Sequence, residues 1–299
     1  MTFPERKGRM DEIGAYAFVT SDYKQKGYPF DLWVKWNSKF FDKLAVISYG
    51  ELKIPHYDNV LIKTMPPPQE VNWKFYTDGE QNAQELLDTE WKAMLGIDEF
   101  VNRRIITESL DKSKVYALRF HHLYGNPVTE IVGAFPEYYF RVHTGIRRVL
   151  NDGGSVSGPR EWGTLSLKNL ARKYMNSSSG LSWTLKESLY LLKRDGLKRA
   201  LFTPKYAGEI FHTNTLRDPR SLKLKWKEQT IRARNEGNSM QKHDILEEET
   251  LNKSESFDYN KYKKIWPHSF LKRLSTEDVP IIITENKGMF EWVNFDRIL

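Results

Sequence analysis

Short apolar runs separated by polar turns fill the first half of this chain. "GAYAFVT" (14–20), "KLAVISYG" (43–50) and "NVLIKTM" (59–65) have the length and composition of strands. "WVKWNSKFFDKL" (33–44) sets Trp33, Trp36, Phe40, Phe41 and Leu44 at roughly helical spacing. Three successive prolines in "MPPPQE" (65–70) exclude helix and central strand, because they lack the N–H that either needs. "TDGEQNAQELLDT" (77–89) then reads as a helix with Thr77 or Asp78 as N-cap. It leads into "EWKAMLGIDEFV" (90–101), a short apolar segment that runs into two adjacent carboxylates. "KVYALRFHHLYG" (114–125) and "EYYFRVHTGIRRVL" (137–150) are aromatic and β-branched, as strands are. Strands alternating with helices predict an α/β sheet.

The character changes near residue 151. "NDGGSVSGP" (151–159) and "NSSSG" (176–180) are loops, while 181–200 and 221–237 are helical in pattern, the second stopping near Gly237. Residues 238–256 are polar, with an acidic cluster at Glu247–Glu249. "VPIIITENKGMFEWV" (279–293) predicts a strand, a turn at Asn286–Gly288 and a second strand.

Composition narrows the classes. The 299 residues are 39% hydrophobic and include nine Trp, enough for a substantial core. Cysteine is absent, which removes disulfides, thiolate zinc sites and a cysteine nucleophile. No P-loop, GxGxxG or GxSxG pattern accompanies a suitable element, which argues against a kinase, a dinucleotide oxidoreductase and an α/β-hydrolase, and HExxH is absent too. The charged N-terminus has no apolar signal-peptide core, and no run approaches the ~18 apolar residues a membrane helix needs. The expectation is a soluble, cytoplasmic protein without a membrane span. Charge is uneven: of the net +7, the stretch Lys193–Arg234 holds 12 Lys or Arg against four acids, so the rest of the chain nets −1. That asymmetry suggests an anionic partner near the segment, with a solvated helix face as the plainer account.

Asp98 and Glu99 are the sharpest chemical feature. Ligands of open α/β sheets sit outside the carboxyl ends of strands. A hard divalent cation is held there by one or two carboxylates, with phosphate oxygens and waters completing the shell. By itself the pattern is weak, since most such pairs are ordinary strand-end solvation. His121 and His122 are adjacent, so on a strand they face opposite sides, and His143 fits a packed strand position.

The order of pieces around these acids resembles family 2-like glycosyltransferases of the GT-A fold, in a subgroup with a late "HxGWxRxP" segment. "EQNAQELLDTEWKAMLGIDEFV" (80–101) is similar to that family's helix and strand ending in a "DxD-E" metal motif. "FHHLYGNP…YYFRVHTGIRRV" (120–149) is similar to its "HFYG…R-IRN" strand pair. "GEIFHTNTLRDPRSLKLKWKEQ" (208–229) is similar to its "IYHYGWVRDPEVMKKKQ" segment. The resemblance implies a GT-A-like mixed sheet flanked by helices over residues 1–235. A donor-binding half would span 1–150 and an acceptor side with the histidine motif 151–235, followed by a helical, basic C-terminal appendage at 236–299.

The same resemblance implies Asp98, Glu99 and His212 as ligands of Mn²⁺ or Mg²⁺. It places Thr20, Asp22, Glu51, Gln81, Asn82, Arg217 and Lys225 on the nucleotide-sugar donor, and the acceptor would be a glycan or another hydroxyl. An inverting transfer needs a carboxylate to take the acceptor's proton, and Asp152 and Glu161 are the candidates. Two departures stand out. Gly96 occupies the first acidic position of the metal motif, and Asn214 and Thr215 replace Gly and Trp in the late motif. They favour a rival in which the fold is kept as a binding module without catalysis. The basic 193–234 stretch supports another rival, a nucleic-acid-binding protein, including one that glycosylates modified DNA.

Overall fold

The computed structural model describes residues 12–67, 72–132, 136–150, 154–165, 202–216, 221, 224 and 269–290. Among them, the first half follows the predicted alternation. Strand β1 (Ile13–Thr20) is followed by helix α1 (Phe30–Asn37), β2 (Lys43–Tyr49), β3 (Val60–Met65), helix α2 (Trp73–Glu85) and β4 (Trp91–Met94). Period-two alternation explains the packing of β1. Ile13, Ala15, Ala17 and Val19 enter one buried cluster with Phe30 and Trp33 of α1, whereas Tyr16 enters another with Phe75 and Ala83 of α2. Both faces of the strand are therefore covered, as continuous apolar runs require.

The four strands run parallel in the order β3-β2-β1-β4, and the sheet continues through β8 (Tyr138–Thr144), β6 (Tyr116–Tyr124), β7 (Asn126–Val132) and β12 (Phe270–Arg273). β8 is antiparallel to both β4 and β6, so β6 runs with the parallel set. β11 (Tyr206–Thr215) lies parallel to β6 and carries the short β5 (Glu99–Val101) antiparallel to itself. The carboxyl ends of β1, β2, β3, β4, β6 and β11 consequently share one edge. A two-stranded ladder, β9 (Trp162–Leu165) with β10 (Phe202–Pro204), is separate. The α/β class is thus observed, as a mixed sheet of many strands with few helices.

Several predicted elements differ. α1 begins at Phe30 and ends at Asn37, ahead of the expected span, so Phe41 and Leu44 pack from the following turn and β2. α2 starts at Trp73, not near Asp78: the Asn72 side chain accepts a hydrogen bond from the Phe75 N–H and caps the helix five residues before Thr77. Lys92 of β4 is 4% exposed, and its ammonium donates to the Leu87 and Gln84 carbonyls at the other end of α2. A cation at a helix C-terminus satisfies carbonyls that have no intrahelical donor.

Residues 281–285 and 287–290 form two short helices, α3 and α4, where two strands were expected. Their apolar residues serve a core contact, since Ile283 and Phe290 are buried with Phe100. With β12 paired to β7, residues 269–290 belong to the main sheet and core. The helices expected at 181–200 and 221–237 lie largely outside the described residues, as does the polar segment 238–256.

α1 also positions β5. The Trp36 indole donates to the Val101 carbonyl at 2.6 Å, and the Asn37 amide donates to the Glu99 carbonyl at 3.0 Å while accepting from the Val101 N–H at 3.2 Å. Asn37, fully buried, thus stands in for a neighbouring strand along the edge of β5. Asn37→Ala leaves a buried carbonyl and N–H without those partners, and urea unfolding should show a loss of about 2–4 kcal/mol.

Candidate metal centre

Leu95 still bonds to β1 through the Tyr16 carbonyl, at 3.0 Å, before the chain turns. The turn Gly96–Glu99 closes twice: the Glu99 N–H donates to the Gly96 carbonyl at 3.1 Å, and the Gly96 N–H donates to Glu99 Oε2 at 2.6 Å. A Cβ added at Gly96 would come within 3.0 Å of Asp98 Oδ1 and 3.1 Å of Glu99 Cδ. The carboxylates thus occupy the space that a larger residue would need. Thr213 holds the turn from β11, its N–H and hydroxyl both donating to the Asp98 carbonyl at 2.9 and 3.0 Å.

Register then brings the histidines in. His212 is the cross-strand partner of Glu99 in the β5–β11 ladder and of His122 in the β11–β6 ladder. Directly paired residues share a face, so Glu99, His212 and His122 form one row, and Phe100, Phe211 and His121 form the next on the opposite face. Ligand atoms of Asp98, Glu99 and His212 lie within 4.8 Å of one another. That is close to the span across one ion with ligands at about 2.1–2.3 Å. Asp98 and Glu99 are buried, while His212 is half-buried with Nε2 3.4 Å from Asp98 Oδ2. Two carboxylates and an imidazole are a donor set that suits a divalent cation.

Arg141 of β8 sets the electrostatics. Its guanidinium pairs with Glu99 Oε2 at 2.5 Å, donates through Nε to the Gly154 carbonyl at 2.8 Å, and lies 4.8 and 5.0 Å from the ring centres of Phe120 and Tyr139. Both charged side chains are more than nine-tenths buried. Glu99 therefore has one oxygen committed to Arg141 and Gly96, leaving Oε1 to face other donors or an ion.

The two adjacent histidines diverge as their alternation requires. His122 contacts His212 through the two Nδ1 atoms at 3.1 Å and the Pro136 carbonyl through Nε2 at 2.9 Å. Burial, with the neighbouring His212 adding to it, pushes the His122 pKa down to about 3. His121 stacks on Phe211 at 4.7 Å, with its ring nitrogens 3.2 Å from Glu130 and 3.8 Å from Glu209. His143 is fully buried against the Tyr16 hydroxyl at 3.1 Å, a packed strand position, and burial lowers its pKa to about 4.

The remaining predicted site residues separate into groups. Thr20 and Asp22 follow β1, and Glu51 follows β2, on the same edge as Asp98. Burial raises the Asp22 pKa, but hydrogen bonds from Thr20 and Lys26 outweigh it and leave the carboxyl below its usual range. Gly50, with φ +96°, turns the chain so tightly that a side chain there would strike Ser21. Gln81 and Asn82 are not at the opening of α2. They fall in its third turn, about 12 Å along the axis from Trp73, and the Asn82 amide is spent on the Asp78 carbonyl.

Glu161 bonds through its backbone to Val115, at the start of β6. Val115 is seven residues, or roughly 23 Å of extended chain, from His122, so Glu161 is not brought to the triad. Asp152, Arg217 and Lys225 lie outside the described residues, as does most of the basic 193–234 stretch. Arg141, Asn37 and Thr213 were not singled out from sequence. The available signal for Arg141 was a charge alternating with Tyr139 and His143 on an otherwise apolar strand. No helix among the described residues is long and apolar enough to cross a membrane. No protein-family model matches the chain, and no curated protein matches it either.

Two outcomes are expected of the buried ionisable groups. Arg141→Met strands Glu99 as an uncompensated buried carboxylate and should lower unfolding stability by about 3–5 kcal/mol. His143 and His122 hold their protons less tightly folded than unfolded, so the unfolded chain takes up protons first as pH falls below about 6.5. Stability contributed by the neutral imidazoles is complete above that pH and declines on acidification toward the folded values. Denaturation followed between pH 7 and 5 should show this fall, and His143→Gln should reduce its slope.

Proposed function

We propose that this chain is a metal-assisted glycosyltransferase of GT-A type, moving a sugar from a nucleotide-diphosphate donor to an acceptor hydroxyl. One observation carries the reading: the sheet register sets His212 against Glu99 and beside Asp98. These are the residues that the sequence resemblance matched to the metal motif and to the late histidine motif. The turn and β11 are far apart in the chain, Asp98 and Thr213 being separated by 115 positions, so proximity of the two motifs does not follow from local sequence. The parallel β3-β2-β1-β4 order adds support, since it puts Thr20, Asp22 and Glu51 on the same edge as the acids. Ligands of such sheets bind there, outside the carboxyl ends of the strands.

Asp98, Glu99 and His212 would hold Mn²⁺ or Mg²⁺, and the ion would supply positive charge against a departing diphosphate. The chain's own residues keep that site in place. Arg141 and the Gly96 N–H hold one oxygen of Glu99, Thr213 anchors the Asp98 backbone, and Asn37 fixes β5. Of the two carboxylates proposed as base, Glu161 is at the far end of β6, and Asp152 lies outside the described residues.

A second reading is favoured by Gly96. The space where the resembled motif has its first acid is filled by the Asp98 and Glu99 carboxylates, which suits a donor-binding module with a reduced metal shell and no transfer.

The test is release of nucleoside diphosphate from a panel of nucleotide-sugars, with Mn²⁺, Mg²⁺ or EDTA. One donor should be slowly hydrolysed by the wild type with metal, and release should fall at least about a hundredfold on EDTA treatment or in Asp98→Ala, as for loss of a principal electrostatic group. Donor binding by calorimetry without release selects the binding module. Neither binding nor release of any donor overturns both readings.

A further inference from the structure

Resting on the metal site proposed above, we propose that His122 is a positioning residue that sets the tautomer of His212, so that His212 presents the Nε2 lone pair toward Asp98 and an ion held there. Hydrogen-bond valence leads to this assignment. The Pro136 carbonyl is 2.9 Å from His122 Nε2 and has no hydrogen to give, so His122 Nε2 carries the N–H. The ring is only 6% exposed, and burial keeps an imidazole neutral, which makes its Nδ1 an acceptor. The 3.1 Å contact between the two Nδ1 atoms then needs a hydrogen from His212. With Nδ1–H of His212 committed to His122, its remaining nitrogen is Nε2, 3.4 Å from Asp98 Oδ2.

A lone pair facing a carboxylate at that distance is repulsive unless a cation lies with them. A divalent ion held between them would satisfy the contact, with His122 remaining the acceptor. A hydrogen bond to the distal nitrogen of a ligating histidine fixes the ring's orientation and raises its basicity. Strand register makes the arrangement rigid, since His122 and His212 are paired positions of β6 and β11. The Phe120 ring adds a wall, lying 5.7 Å from His122 and 6.2 Å from His212, centre to centre. His121, one residue earlier, cannot substitute because it faces Glu130 on the opposite side of the sheet.

Two measurements test the assignment. Long-range ¹H–¹⁵N NMR of the wild-type chain without metal should show His122 as the neutral Nε2–H tautomer with an unprotonated Nδ1. A hydrogen on His122 Nδ1 overturns it, and this readout needs no variant.

Mn²⁺ binding, read from the electron paramagnetic resonance signal of the free ion, addresses the consequence. His122→Phe should weaken binding about 10- to 100-fold, as loss of an outer-shell partner does. His122→Asn, whose side-chain oxygen can accept from His212 Nδ1–H, should recover most of that loss. Equal weakening by both variants, or no weakening by either while the wild type binds and Asp98→Ala does not, overturns the role of His122 and leaves the metal site standing. Wild-type binding no tighter than that of Asp98→Ala overturns the metal site itself.

Discussion

A guanidinium buried against two aromatic rings holds the candidate site together. Arg141 reaches from β8 to Glu99 and closes on the Gly154 carbonyl, with both side chains of the pair more than nine-tenths buried. Removing two charges from water costs several kcal/mol per ion and is repaid only by good geometry with the remaining hydrogen-bonding positions filled. Those conditions are met here by the Gly96 N–H on Glu99, by Gly154 on Arg141, and by the faces of Phe120 and Tyr139. A pair so constructed admits few alternative positions for the turn that carries Asp98. The acids at this strand end are therefore placed by the protein interior and not simply by contact with solvent.

Around that pair, two elements converge on a three-residue strand. β5 is too short to be stable alone, and it is held by β11 on one side and by the Trp36 and Asn37 side chains on the other. The consequence is chemical. Once β5 is in register with β11, His212 must stand opposite Glu99, and once β11 is in register with β6, His122 must stand beside His212. A slip of one residue in either ladder would turn the imidazole to the opposite face, where Phe211 packs against His121. Apolar packing of that opposite row thus protects the polar row.

Much of the architecture could be read from local pattern. The strands at 14–20, 43–50 and 59–65, and the alternation that hides both faces of β1, follow from apolar spacing, because burial is decided by side-chain period before any partner is known. Divergence of His121 and His122 likewise followed from strand geometry. The misreadings have equally local causes. Asn72 caps α2 earlier than the more obvious Thr77 or Asp78, and residues 281–290 are apolar for a core contact that two short helices serve as well as strands would.

By itself, the sequence determined the α/β class, the strand-end acids as a candidate site, and the pairing of motifs with which His212 could be associated. Only the tertiary structure decided that these motifs meet, which of two neighbouring histidines joins them, and that one carboxylate is shared with Arg141. The physical reason lies in what each level encodes. Periodicity records which face of a strand is buried, but it carries no record of which strand lies alongside. Metal-ligand distances and buried ion pairs are set by the register between strands more than a hundred positions apart, and that register is chosen by packing of the whole sheet.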